Sequence, residues 1–175
     1  LIGTIKNMVG DTVYPTERTT PESLDLQSLL HDMVNRDVSE VVMEVSSQGL
    51  ELHRVSCTRF KIGVFTNLTK DHIGAFEHPN MESYFNAKLK LFKICEQGLV
   101  NLDSSYSKRV MDSATCPILT YGIENKGDIY ACDIVKGSDR VTFTVHTPWF
   151  TDSVTLSIPG IFSVYNSLCA IGVCG

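Results

Sequence analysis

Apolar runs of strand length alternate with segments of helical periodicity through the first two thirds of the chain, and that alternation is the pattern of βαβ units around a mainly parallel sheet. The strand-like runs are Leu1 to Ile5, Glu40 to Val45, Ile62 to Asn67, Leu99 to Leu102 and Ile118 to Tyr121. Between the first two, Thr20 and Pro21 read as an N-cap with proline in the first turn, ahead of Leu26, Leu29, Leu30, Met33 and Val34 at helical spacing. A second helix is predicted from Met81 to Cys95, with Tyr84, Leu91, Phe92 and Cys95 on one face. After Tyr121 the pattern changes to short alternating stretches (DIYACDIV, RVTFTVH, SVTLSI) parted by Gly, Asp and Pro, which predicts an antiparallel meander. The expected fold is α/β, one domain over residues 1–175, with a mainly parallel sheet, flanking helices and a small antiparallel β meander.

In such folds ligands gather beyond the carboxyl ends of the strands. Glu44 ends the run EVVMEV and is followed by Ser46, Ser47, Gln48 and Gly49. A carboxylate there is placed either to hold Mg²⁺, directly or through water, or to cap a helix or lie solvated in a loop. His72, in NLTKDHIG, is a candidate ligand for the same metal, as is its neighbour Asp71; a solvated loop histidine is the other reading. Lys88 falls four residues after Tyr84 and four before Phe92, within the apolar stripe, unlike Lys90 and Lys93. Burial favours the neutral amine, the form that is nucleophilic toward carbon dioxide, although a lysine at a stripe's edge also snorkels to water.

Composition removes several classes. A formal net charge of -5 leaves no basic footprint for nucleic acid or an anionic membrane surface. No run approaches the roughly 18 apolar residues of a membrane span and no signal-peptide pattern opens the chain, so a cytoplasmic setting is expected. The six cysteines (Cys57, Cys95, Cys116, Cys132, Cys169, Cys174) include no CxxC pair and mostly lie in apolar stretches, which reads as reduced core thiols against a disulfide framework. There is no GxxxxGK[ST], hence no glycine-rich nest with its lysine to cradle ATP phosphates.

Four ordered segments, TTPESLDLQ (Thr19 to Gln27), MEVSSQGLELHRV (Met43 to Val55), FTNLTKDHIGAFEHPNMESYFNAKLKLF (Phe65 to Phe92) and GIFSVYNSLCAI (Gly160 to Ile171), resemble the Mur ligases. MEVSS and HRV point to the MurE type. The resemblance covers essentially the whole chain and is to the central, ATP-binding domain. It implies a piece of a longer enzyme lacking the P-loop before LIGTI and the N- and C-terminal domains, and inactive by itself; the strand pattern at Leu1 and the apolar end at Gly175 agree with that expectation.

MurE-type enzymes join a diamino acid, meso-diaminopimelate or lysine, to UDP-N-acetylmuramoyl-L-alanyl-D-glutamate in peptidoglycan synthesis, with ATP as co-substrate and an acyl phosphate on the path. The resemblance makes Lys88 a carbamylated lysine and, with Glu44 and His72, a Mg²⁺ ligand. It places Thr19, Thr20, Ser46 and Arg54 on the UDP-muramoyl dipeptide, and Asn67 and Asn166 on the nucleotide. The chain departs from the MurE pattern at Leu52, where many members have glutamine, and at Arg18, where they often have asparagine. A MurE-like paralogue with another substrate, and a module that only binds UDP-muramoyl peptide, are the competing expectations.

Overall fold

The computed structural model describes residues 1–71, 73–74 and 78–175. His72, one of the expected metal ligands, lies outside the described residues. Two units share the chain: Leu1–Arg59 with Lys70–Ile94, and Phe60–Thr69 with Cys95–Gly175.

The first unit begins with a hairpin, β1 (Asn7–Val9) against β2 (Thr12–Tyr14). Its two-residue loop starts at Gly10 with φ 55°, the left-handed geometry that tight hairpins ask of glycine. Three helices follow in this unit: α1 (Ser23–Asn35), α2 (Ser47–Glu51) and α3 (Met81–Leu89), the last running into a 3₁₀ turn at Lys90–Lys93.

Two expected strands are reduced to almost nothing. Leu1 to Ile5 and Glu40 to Val45 meet in one parallel bridge, Ile2 with Met43, closed by Ile2 N–H to the Val42 carbonyl and Glu44 N–H to the Ile2 carbonyl, both at 2.9 Å. The direction is as expected, but the chain turns away at Gly3, whose N–H goes to Asn7 Oδ1. Val41 and Val42 are exposed and so do not form the interior strand that their hydrophobicity suggested.

Helix α1 starts after Glu22, two residues past the predicted cap, because the Thr20 hydroxyl is engaged elsewhere. It buries Leu26 and Met33, half-buries Leu29 and Leu30, and leaves Val34 exposed. Helix α3 is capped by Asn80, whose Oδ1 accepts the Ser83 N–H at 2.9 Å. It ends at Leu89 rather than Cys95, since Cys95 is needed to open the next strand.

The second unit holds one six-stranded sheet in sequence order: β3 (Phe60–Phe65), β4 (Cys95–Asn101), β5 (Ile118–Gly122), β6 (Ile129–Lys136), β7 (Val141–His146) and β8 (Thr151–Leu156). The pairs from β3 to β6 are parallel, and β6, β7 and β8 are the predicted antiparallel meander, continuous with the parallel part. Helix α4 (Ser107–Ser113) links β4 to β5, and α5 (Ile161–Cys174) lies on the sheet. Leu99, Tyr121, Ile129, Val141, Phe143, Val164 and Leu168 form its core.

The β5–β6 join is unusual: parallel neighbours ordinarily need a crossover of a dozen or more residues, and here residues 123–128 suffice. They suffice because the strands are staggered, pairing only Tyr121 with Ile129 and Gly122 with Tyr130. The turn's backbone is gathered by one carboxylate. Asp103 accepts the N–H groups of Ile123 (2.6 Å), Glu124 (3.0 Å) and Asn125 (2.8 Å), and the Tyr165 hydroxyl from α5 at 2.8 Å.

The six cysteines are free thiols, as expected, with Cys95 and Cys116 in sulfur contact at 3.5 Å. Cys57 and Cys174 are exposed, which corrects their reading as core residues: one follows a short helix and the other ends α5, where no layer covers them. No described helix is long and apolar enough to cross a membrane.

Candidate functional site

The first unit contains a cavity of about 580 Å³ whose wall includes Thr4, Thr19, Glu44, Ser46, Arg54 and Lys88. Residues from four stretches of sequence are brought there by a short list of hydrogen bonds. The Thr20 hydroxyl donates to the Glu44 carbonyl at 3.1 Å and accepts the Ser46 N–H at 2.8 Å, joining the Thr19–Thr20 turn to the segment that carries Glu44. Thr20 is fully buried, so these two bonds satisfy a hydroxyl that would otherwise be costly to hide.

Ser46 caps α2, its Oγ accepting the Gly49 N–H at 3.0 Å. That helix can sit against Thr20 only with glycine at its third position: a Cβ on Gly49 would lie 2.7 Å from Thr20 Cγ2. Arg54 follows α2 and is 6% exposed. Its guanidinium bonds the Thr20 carbonyl at 3.3 Å and forks onto Glu22, 3.2 Å from Oε2 and 2.9 Å from Oε1. Arg18, exposed, shares Glu22 at 3.2 Å. Arg54 thus arrives at the cavity already oriented, its charge partly balanced by a carboxylate from the start of α1.

Lys88 is half-buried on α3, with its ammonium 5.0 Å from the centre of the Tyr84 ring. Burial lowers its pKa from the usual lysine value. The aromatic face offers some compensation for the charge. Tyr84 in turn stacks on His78, ring centres 5.1 Å apart, and His78 Nε2 meets Ser47 Oγ at 2.8 Å. A buried histidine therefore connects the first residue of α2 to the ring beneath Lys88. His78 and Tyr84 were not singled out as site residues in the sequence, because their role is to hold other groups and no spacing announces it.

Glu44 is exposed on the cavity wall. Its Oε2 receives the Thr4 N–H at 3.1 Å and the Thr4 hydroxyl at 2.5 Å. The same Thr4 oxygen lies 3.1 Å from Thr19 Oγ1. Thr4 has no sequence signal beyond its place two residues after Ile2, in a run read as strand. Among the described residues no three His, Cys, Asp or Glu side chains converge as a metal cluster.

Thr19, Glu44, Ser46, Arg54 and Lys88 therefore line one cavity, with Thr20 bonded beneath it. Asn67 and Asn166 belong to the second unit. Asn67 is exposed two residues past the end of β3. Asn166 is exposed on the second turn of α5, next to the Tyr165 that bonds Asp103.

The family model for the Mur ligase middle domain matches residues 1–174. The UDP-N-acetylmuramoyl-L-alanyl-D-glutamate--2,6-diaminopimelate ligase of Caldanaerobacter subterraneus subsp. tengcongensis is 48% identical over 174 residues, 99% of this chain and 36% of that protein. The ligase of the same name from Clostridium botulinum is 42% identical over 174 residues, again 99% and 36%. The chain thus spans about a third of the length of these relatives. A solved structure of a UDP-N-acetylmuramoyl-L-alanyl-D-glutamate--2,6-diaminopimelate ligase superposes with a TM-score of 0.78 at 30% identity, covering 90% of this chain and 34% of that one. A MurF from Acinetobacter baumannii shares the fold at a TM-score of 0.61 and 20% identity, over 68% of this chain and 26% of that one.

Proposed function

Because this chain belongs to the Mur ligase family, as its middle domain, we propose that it serves an ATP-dependent, MurE-type ligase that adds a diamino acid to UDP-N-acetylmuramoyl-L-alanyl-D-glutamate in peptidoglycan synthesis in the cytoplasm. The diamino acid is 2,6-diaminopimelate, in keeping with the names of the relatives. The observation that carries the reading is the pairing, on one cavity wall, of the Glu44 carboxylate with a lysine that burial makes less basic.

Lys88 is the group to be modified. The ammonium first gives one proton to solvent; the neutral amine then attacks carbon dioxide, a nitrogen–carbon bond forms as one carbon–oxygen π bond opens onto oxygen, and a second proton leaves to solvent, so that a cation is replaced by an anionic carbamate. The depressed basicity of Lys88 makes that amine available at lower pH than an ordinary lysine's. A carbamate and a carboxylate facing one cavity form a hard oxygen donor set, which suits Mg²⁺. Glu44, carbamylated Lys88 and His72 would hold the ion, which when bound would supply neutralisation of the charge on the phosphates of ATP.

The substrate's dipeptide and UDP-sugar fall to the same wall. Arg54, fixed by Glu22 and the Thr20 carbonyl, offers a planar cation to a carboxylate or phosphate. Thr19 and Ser46 offer hydroxyls, and Thr20 holds the turn that presents them. Asn67 and Asn166 would meet the nucleotide.

The test is the carbamate itself. In ¹³C-bicarbonate near neutral pH the chain should show one carbamate carbonyl resonance and a native mass higher by one carbon dioxide, and K88M should show neither. A wild-type chain without the resonance at saturating bicarbonate would remove Lys88 from the proposal.

A further inference from the structure

A carboxylate on an exposed loop has three freely turning side-chain bonds, and as a metal ligand it loses that freedom on binding. Glu44 has already lost most of it. Thr4 is the cause: its N–H and its hydroxyl both end on Oε2, at 3.1 and 2.5 Å. Among the described residues no hydrogen bond falls on Oε1. Gly3 makes the approach possible, since a Cβ there would stand 3.1 Å from Oε1 and 3.2 Å from Cδ.

The backbone places Thr4 without help from a ladder. The Ile2–Met43 bridge brings the two segments together, and the Gly3 N–H, bonded to the buried Asn7 side chain at 3.3 Å, bends the chain so that Thr4 turns toward Glu44.

Hydrogen-bond direction adds a second consequence. A carboxylate only accepts, so the Thr4 hydroxyl spends its one proton on Glu44. At the 3.1 Å contact Thr4 must then accept, and Thr19 must donate. Thr19 therefore presents only lone pairs to the cavity, and its partner on a ligand is a donor, a sugar hydroxyl or an amide N–H.

We propose that Thr4 is a positioning residue: it fixes one oxygen of the Glu44 carboxylate so that the other is presented to a divalent cation, and it sets the direction of the Thr19 hydroxyl. This rests on Glu44 being a metal ligand, as argued above.

The test uses Mn²⁺ as the probe, titrated into the full chain in bicarbonate-containing buffer and followed by electron paramagnetic resonance. T4V, which keeps the shape and loses the hydroxyl, should weaken Mn²⁺ binding by about tenfold, the scale of losing an outer partner of a metal ligand. T4S should restore binding to within about twofold of wild type. T4A replaces T4V should that variant fail to fold. E44Q separates the two levels of argument. Wild-type affinity in T4V, with loss in E44Q, would overturn the role of Thr4 alone. T4S as weak as T4V would also overturn it, since the hydroxyl would not be what acts. Unchanged binding in E44Q, or no bound Mn²⁺ in the wild type, would overturn the Glu44 reading and this inference with it.

Discussion

Single residues carry the site and one critical joint of the fold. Glu44 and Lys88 stood out in the sequence because their chemistry conflicts with their surroundings, a carboxylate at the end of an apolar run and an ammonium on an apolar stripe, whereas Ser46 was named as a site residue only through the family resemblance. Asp103 did not stand out, because its role depends on a turn twenty residues away. Burial pushes its carboxyl up, but the N–H groups of Ile123, Asn125 and Glu124 and the Tyr165 hydroxyl outweigh that, and its pKa ends below the ordinary value. A depressed carboxyl contributes stability above its unfolded pKa of about 4 and loses it as pH falls through the folded value. D103N should therefore cost about 2 kcal/mol at neutral pH. In thermal melts from pH 7 to pH 3 the gap between wild type and D103N should close at the acid end; a gap independent of pH would mean that the charge is not the contributor.

At the scale of elements, the strands of the main sheet were read more completely than the helices: β3 to β8 all fall on predicted runs, whereas α2 and α4 were not predicted. Periodic apolar residues located α1 and α3, but α1 starts after its predicted cap and α3 stops at Leu89, well short of the predicted Cys95; the errors lie at the ends, where tertiary contacts decided. The runs at Leu1 and Glu40 read as strands because hydrophobicity cannot tell a ladder from a single bridge. Helix α2 is five residues long, too short to show a period, and is held by Ser46 and by its contact with Thr20. That contact has a sharp test. G49A drives a methyl group into Thr20 and should cost about 1–3 kcal/mol in chemical denaturation, with weaker calorimetric binding of UDP-muramoyl dipeptide. Adding T20S, which deletes the methyl nearest the new Cβ, should recover part of both losses; no recovery would place the damage elsewhere.

For the whole molecule, the α/β class and the change from parallel to antiparallel pairing were visible as a change of hydrophobic period after Tyr121. The allocation of chain to two units was not, since Phe60–Thr69 joins Cys95–Gly175 through long-range contacts, chiefly the pairing of β3 with β4. The division predicts where ligands act. With Mg²⁺ and bicarbonate bound at Glu44 and Lys88, added hydrogen-exchange protection should fall in Leu1–Arg59 and Lys70–Ile94. Emission from Trp149, the one tryptophan, in the loop between β7 and β8 of the other unit, should not change. Protection spread evenly over both units would count against a site confined to the first. The staggered join of β5 to β6 also bears on how such a chain can change over generations. Two residue pairs are a thin seam, so the strands from Ile129 to Leu156 form a cassette, attached chiefly by the side chains they turn toward α5. Such a cassette can be lengthened, trimmed or exchanged between lineages while the cavity in the other unit is inherited intact, provided that the Asp103 clasp survives.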